Sequence, residues 1–231
     1  MHRTLERLSR YWDADRCLTA LLALLVTAIL LVPLADFWLP ALARPIRAVT
    51  VTLILLSGTG TTGRRTPALS LAIAVGLGPM VAWLMFDAAK GAIDVAELAL
   101  NGAFILVLAV LVLRSVFRAG PITWHRIRGS IAGFLMLGLT FSLAYRVVEM
   151  ADPAAFLQPG APPGPLAAPV LTYFSFVTLA TLGYGDIVPV NPLARSLAIL
   201  ESLTGLMYPA VLIARLISLQ LAAELERKPR R

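Results

Sequence analysis

Long apolar runs alternate along this chain with short clusters of charged, glycine and proline residues. Six runs are evident, at about 17–39, 46–62, 67–87, 93–118, 130–151 and 195–223. A helix of roughly 20 apolar residues matches the hydrocarbon thickness of a bilayer, so each run predicts a membrane helix. The second is short and closes in SGTGTTGRR. A seventh apolar stretch, PVLTYFSFVTLA (169–180), is too short to span. Pro169 opens it, and proline is tolerated in the first turn of a helix. This stretch predicts a re-entrant half-helix. Directly after it the pattern breaks into TLGYGDIVPV (181–190), polar and glycine-studded. Non-helical backbone survives at membrane depth only where it is buried in protein or lines water. The strip therefore predicts a wet pathway.

Composition supports a polytopic membrane protein: of 231 residues, 58% are hydrophobic and 14% charged. The net charge of +7 does not predict a nucleic-acid partner, because the basic residues sit between and beyond the apolar runs. Their placement instead orients the chain, since cytoplasmic loops are rich in Lys and Arg. Arg3, Arg7, Arg10 and Arg16, then Arg64 and Arg65, the RAGPITWHRIRG linker and the tail ERKPRR, fall on one side. The other side holds Arg44, Arg47 and Lys90, the last among Asp87, Asp94 and Glu97. The connection ADPAAFLQPGAPPGPLAAP holds no basic residue. Both termini are expected in the cytoplasm. The run from Cys17 is longer than the h-region of a signal peptide, so a retained first helix is expected despite Ala41-Leu42-Ala43. Arginine supplies nearly all the basic charge, a bias expected of a GC-rich bacterial source. Cys17 is the single cysteine, which excludes an internal disulfide and a multi-cysteine metal site. HExxH and GxSxG motifs are absent, and the only histidines are His2 and His125. Neither an enzyme nor a bound cofactor is expected.

The hexapeptide Thr181-Leu182-Gly183-Tyr184-Gly185-Asp186 resembles the TVGYGD selectivity filter of potassium channels, within the tetrameric pore-loop cation channel superfamily. The order of parts is also similar: outer helix, half-helix with paired aromatics, filter, inner helix. The resemblance is strong over about 130–223 and only architectural before that. It implies an all-α transmembrane fold, with six membrane helices and a re-entrant pore helix and filter between helices five and six. It also implies a homotetrameric pore in lipid, since one strand gives only one oxygen per layer of the ring that replaces an ion's water. Carbonyls of Thr181, Leu182, Gly183 and Tyr184, with the Thr181 hydroxyl, are expected to hold K+. Gly183 and Gly185 supply backbone angles other residues resist. Tyr173, Phe174, Val177 and Asp186 are expected to support the filter, with the Tyr184 ring packed outward on the pore-helix aromatics. Two departures stand out. Ala180 replaces a threonine frequent in the family, and Val177 replaces the pore-helix glutamate of some bacterial relatives.

The resemblance divides the chain into a cytoplasmic segment 1–16, a four-helix membrane domain 17–118, a linker 119–129, a pore domain 130–223 and a basic tail 224–231. Matching places Ser202, Leu206, Pro209, Ile213 and Ile217 along the pore. Gly205 and Pro209 are candidate bend points, with close packing and a static kink as the alternative. The layout resembles voltage-gated channels, but segment four carries only Arg114 and Arg118, both at its cytoplasmic end. Gating charges must lie across the field, each worth about 2.3 kcal/mol per 100 mV, so these two are expected to be anchors. Glu201 lies well inside the inner helix and turned from the pore, so it should be protonated or paired. Arg146 is the expected partner; a pore-helix hydroxyl such as Thr178 for Glu201 and Glu149 for Arg146 are the alternatives. A weakly selective cation channel and a potassium transporter are the competing functions. The gating stimulus is not legible.

Overall fold

The computed structural model describes residues 2–61, 90–116, 124–160 and 164–227. Helix α1 runs His2–Trp38, α2 Pro40–Thr61, α3 Lys90–Val116 and α4 Trp124–Ala151. A two-residue strand β1 (Phe156–Leu157) follows, then α5 (Ala168–Leu179), β2 (Val188–Pro189) and α6 (Pro192–Arg227). The expected third span, 67–87, lies outside the described residues.

Three of these helices contain windows long and apolar enough to cross a membrane: Cys17–Ala35, Arg126–Ala151 and Pro192–Ser218. The apolar parts of α2 and α3 are shorter, Pro45–Ser57 and Leu98–Arg114. Helix boundaries differ from the apolar runs in a consistent direction. Helix α1 begins at His2, far ahead of residue 17, because nothing in its polar start breaks a helix. Helix α2 begins at Pro40 rather than 46, so Arg44 and Arg47 lie on a helix and not in a connection. Leu39 alone separates α1 from α2, and its N–H still reaches the Ala35 carbonyl at 2.8 Å.

The chain divides into two compact units, residues 1–112 with 131–136, and 113–130 with 137–231. In the first, α1 and α2 pack along each other. Leu18, Leu21 and Leu25 form the buried stripe of α1, at the three- and four-residue spacing of one helix face. Ile54 and Leu55 are buried on α2.

The second unit has an apolar core built from Tyr145 and Val148 of α4, Phe156 of β1, Leu171 and Phe174 of α5, Ala194 of α6, and Ala155 and Ile187 of the connections. Tyr145, Phe156 and Phe174 form a ring triangle with centroids 5.0–5.5 Å apart, each pair edge-on. Such pairs add about 0.5–1.5 kcal/mol each beyond area burial. The connection leaving α4 is tied to the segment entering α6. Phe156 pairs with Pro189 and Leu157 with Val188 in an antiparallel ladder. The Val190 N–H donates to the Ala155 carbonyl at 2.8 Å, and Asn191 Nδ2 donates to the Asp152 carboxylate at 2.8 Å. At the other end of the unit, the Tyr208 hydroxyl of α6 donates to the Ser130 carbonyl of α4 at 2.7 Å.

Candidate functional site

The strip after α5 begins as the helix cap. Ala180 is the C-cap of α5. The Leu182 N–H reaches back to the Val177 carbonyl and the Thr181 N–H to the Thr178 carbonyl, both at 2.9 Å. These are the two bonds of a Schellman ending, which requires a left-handed residue just past the cap. That residue is Thr181, with φ of 58°. Glycine usually fills this place, because an L-side chain there costs roughly 1–2 kcal/mol.

Left-handed backbone then recurs at every second residue: Thr181 at 58°, Gly183 at 54°, Gly185 at 77°. Leu182 and Tyr184 between them are not left-handed. In an extended strand successive carbonyls point to opposite sides. Alternating the hand of the backbone turns successive N–H groups to one side and carbonyls to the other. Positive φ at Thr181, Gly183 and Gly185 is the backbone that such a row of like-facing dipoles requires. All residues from Thr181 to Asp186 are exposed in the single chain.

Replacing Thr181 by glycine isolates the two demands on this position. The left-handed strain is relieved, and a comparable backbone entropy cost offsets it. Thr181→Gly is expected to melt within about 1 kcal/mol of the parent while losing the side-chain hydroxyl. Thermal melting in detergent checks this; a much larger loss of stability would contradict the left-handed cap.

The supporting residues separate. Phe174 and Val177 are buried, whereas Tyr173 is exposed and its hydroxyl interacts with the Asp186 carboxylate. The Tyr184 ring is 66% exposed. The expected packing of that ring on Tyr173 and Phe174 is not made within one chain, because Phe174 turns inward to the ring triangle.

Helix α6 presents two faces. Ala194, Glu201 and Gly205 are buried, and Leu197, Ala198, Tyr208, Leu212 and Leu216 half-buried at matching spacing. Leu206, Pro209, Ile213 and Ile217 are exposed on the other face, and Ser202 is half-buried. Gly205 sits where α6 crosses the end of α5: a Cβ there would overlap the Leu179 carbonyl. Pro209 lacks the N–H that would bond the carbonyl four residues back, which is that of Gly205. The two candidate bend points are therefore the two ends of one missing bond, in a helix that stays continuous to Arg227.

The proposed Arg146–Glu201 pair is corrected. Glu201 has 0% exposure, and its carboxyl lies 2.5 Å from the Tyr145 hydroxyl and 2.6 Å from Ser175 Oγ. Tyr145 and Arg146 are neighbours on α4, so their side chains diverge by about 100° around the helix. The tyrosine faces α5 and α6; Arg146 is only half-buried and interacts with Glu149. Ser175 Oγ also lies 2.7 Å from the Gly138 carbonyl. The alternative, a pore-helix hydroxyl, is the kind of partner found, at Ser175 in place of Thr178; Tyr145 was not foreseen. The signal available was a lone serine between aromatics in an otherwise apolar half-helix. Glu149 is a second buried carboxyl, accepting the Leu166 N–H at 2.5 Å through Oε1, while its Oε2 has no hydrogen-bond partner.

Comparison with known proteins bears on this region. Residues 166–220, which take in α5, the strip, β2 and most of α6, match a family described as ion channel. The inward rectifier potassium channel Kirbac3.1 of Paramagnetospirillum magnetotacticum is 35% identical over 82 residues, covering 34% of this chain and 24% of that protein. Two pore potassium channel c of Oryza sativa subsp. japonica is 33% identical over 88 residues, covering 38% of this chain and 17% of that protein. The chain thus spans a quarter or less of the length of these relatives. No solved structure matches. Residues 166–220, which include the alternating strip, are thus similar to an ion-channel family and to named potassium channels, in a membrane protein whose described residues include three helices long and apolar enough to cross a bilayer.

Proposed function

We infer that this protein is a potassium-selective channel, conducting K+ passively through a pore formed by four copies. The observation that carries the reading is the alternation of left-handed backbone at Thr181, Gly183 and Gly185 directly after a short apolar helix. A dehydrated potassium ion needs a cage of oxygens, and backbone carbonyls aligned along a strand supply it when several strands face one another. The ion is substrate here, held by the carbonyls of Thr181, Leu182, Gly183 and Tyr184 and the Thr181 hydroxyl. Relatives named as potassium channels support the same reading. The exposed apolar face of α6, with Leu206, Ile213 and Ile217, suits the inner lining of such a pore. The chain lies in a bacterial inner membrane with both termini in the cytoplasm.

Reversal potentials in mixed potassium and sodium, measured on purified protein in a bilayer, test this. A shift following the potassium gradient alone supports it. Equal permeability favours a weakly selective cation channel, and flux coupled to a second gradient favours a transporter.

Voltage is not the principal stimulus in this reading. Arg114 is exposed in the last turn of α3, and Arg118 lies outside the described residues. Neutralising both is expected to leave the steepness of the conductance–voltage curve nearly unchanged, because charges at the edge of the field sense little of it. A large fall in steepness would overturn this.

A further inference from the structure

We propose that Glu201 is a neutral carboxylic acid whose own proton completes a three-bond lock joining α6, α5 and α4 behind the strip. Three short contacts meet in one buried spot: Tyr145 hydroxyl to Glu201 Oε2 at 2.5 Å, Ser175 Oγ to Glu201 Oε1 at 2.6 Å, and Ser175 Oγ to the Gly138 carbonyl at 2.7 Å. Tyr145, Ser175 and Glu201 each have 0% exposure. Three contacts need three protons. The tyrosine brings one and the serine one; the carbonyl brings none.

If Glu201 were ionised, the single Ser175 proton would have to serve both the Gly138 carbonyl and Oε1. O–H···O bonds cluster near 2.7–2.8 Å when each has its own proton, and a shared proton gives longer, weaker ones. Without sharing, two oxygens would face each other at 2.6 or 2.7 Å with no proton between them. A proton on Oε1 resolves the arrangement in one way. The Glu201 O–H donates to Ser175 Oγ, Ser175 donates to the Gly138 carbonyl, and Tyr145 donates to Oε2. Placing the proton on Oε2 instead leaves the serine with two acceptors and takes the acceptor from the tyrosine. The burial argument agrees, since an isolated carboxylate out of water is costly and the two groups it meets are neutral hydroxyls.

The lock makes Glu201 a positioning residue. Ser175 lies one turn before Thr178 and Leu179, at the end of α5 where the strip begins. Tyr145 is also a corner of the ring triangle that holds Phe174. The acid therefore fixes the rotation of α5 about its own axis, and with it the direction in which the carbonyl row leaves the helix. This role rests on the channel reading; the protonation does not.

Infrared difference spectra of the full chain in lipid vesicles at neutral pH test the protonation. Subtracting E201Q from the parent should reveal a protonated carboxylic C=O band, free of any contribution from Glu149, with no loss of carboxylate bands. Ser175→Ala and Tyr145→Phe should each shift that band, since each removes one partner of the acid. These two variants decide the matter even if E201Q folds poorly. Loss of carboxylate bands in E201Q, or a band unmoved by both other variants, overturns the proposal. Function supplies the second arm. Glutamine offers a donor and an acceptor, as a neutral acid does, so E201Q should keep the potassium-to-sodium permeability ratio within about twofold of the parent. E201L, which leaves the Tyr145 hydroxyl buried and unpaired, should lower the ratio about tenfold, the loss expected when a buried polar group is orphaned. If E201Q is as damaging as E201L, the neutral-acid lock is wrong. If the parent itself does not select potassium, the channel reading fails while the infrared result still decides the proton.

Discussion

Gly185→Ala is expected to abolish discrimination of potassium over sodium while the protein still assembles. The cause lies in the backbone and not in space. A Cβ at this position meets nothing within 4 Å in the single chain, but φ is +77°. An L-side chain in that region costs roughly 1–2 kcal/mol, and four copies around one pore would carry it together. The alanine escapes by returning to negative φ, which breaks the alternation and turns one carbonyl out of the row. A fall in the permeability ratio of at least about tenfold is expected, since each 1.4 kcal/mol of lost discrimination is a factor of ten. Reversal potentials measure the ratio, and cross-linking or native mass spectrometry checks assembly. D-Alanine at the same position prefers positive φ and should restore selectivity. Full potassium selectivity in the L-alanine variant would remove the basis of the carbonyl-row reading.

Gly205→Val is the second large effect, and its cause is contact. A Cβ at Gly205 would overlap the Leu179 carbonyl and crowd the Leu179 Cα at 3.1 Å. These are backbone atoms at the end of α5 and have no rotamer to retreat into. Overpacking typically costs about 1–3 kcal/mol, occasionally more, and a rigid backbone neighbour puts valine at or above the top of that range. Separation of α6 from α5 would also stretch the Glu201–Ser175 contact one turn away. Gly205→Val should therefore lower the melting temperature of the assembled protein and its potassium selectivity together. If Gly205 acted only as a hinge, valine would alter opening and leave melting and selectivity intact. Single-channel recording alongside thermal melting separates the two.

Much of this arrangement is legible in the chain, for reasons that differ by residue. Apolar runs locate helices because a span must be apolar along its length, and α4 and α6 follow from that alone. The starts of α1 and α4 do not follow, since the stretches 2–16 and 124–129 contain no proline and simply continue the helix. The strip is legible because a glycine-rich break in an apolar segment has few physical uses. The left-handed Thr181 is not, since threonine carries no signal for positive φ; the cap geometry of α5 imposes it. Glu201 shows how far spacing reaches. Its place on the inward face of α6 can be read from helical periodicity. Its partner cannot, because opposite charge points to Arg146, whereas the rotation of α4 brings the neighbouring Tyr145 to the spot. Helix rotation is set by the whole core, here by the fit of Tyr145 against Phe156 and Phe174, and no local pattern encodes it.

The small ladder between β1 and β2 changes how the strip should be regarded mechanically. Residues 181–187 hang between two fixed posts. One is the capped end of α5; the other is the ladder, braced by Asn191 on Asp152. A span pinned at both ends has little slack, so its shape is governed as much by the distance between the posts as by its own sequence. Strain applied to the outer connection, far from any oxygen that would touch an ion, is then felt along the whole span. Cutting the Asp152–Asn191 brace would act like loosening a string at its peg: every residue on it keeps its identity, and the pitch is lost.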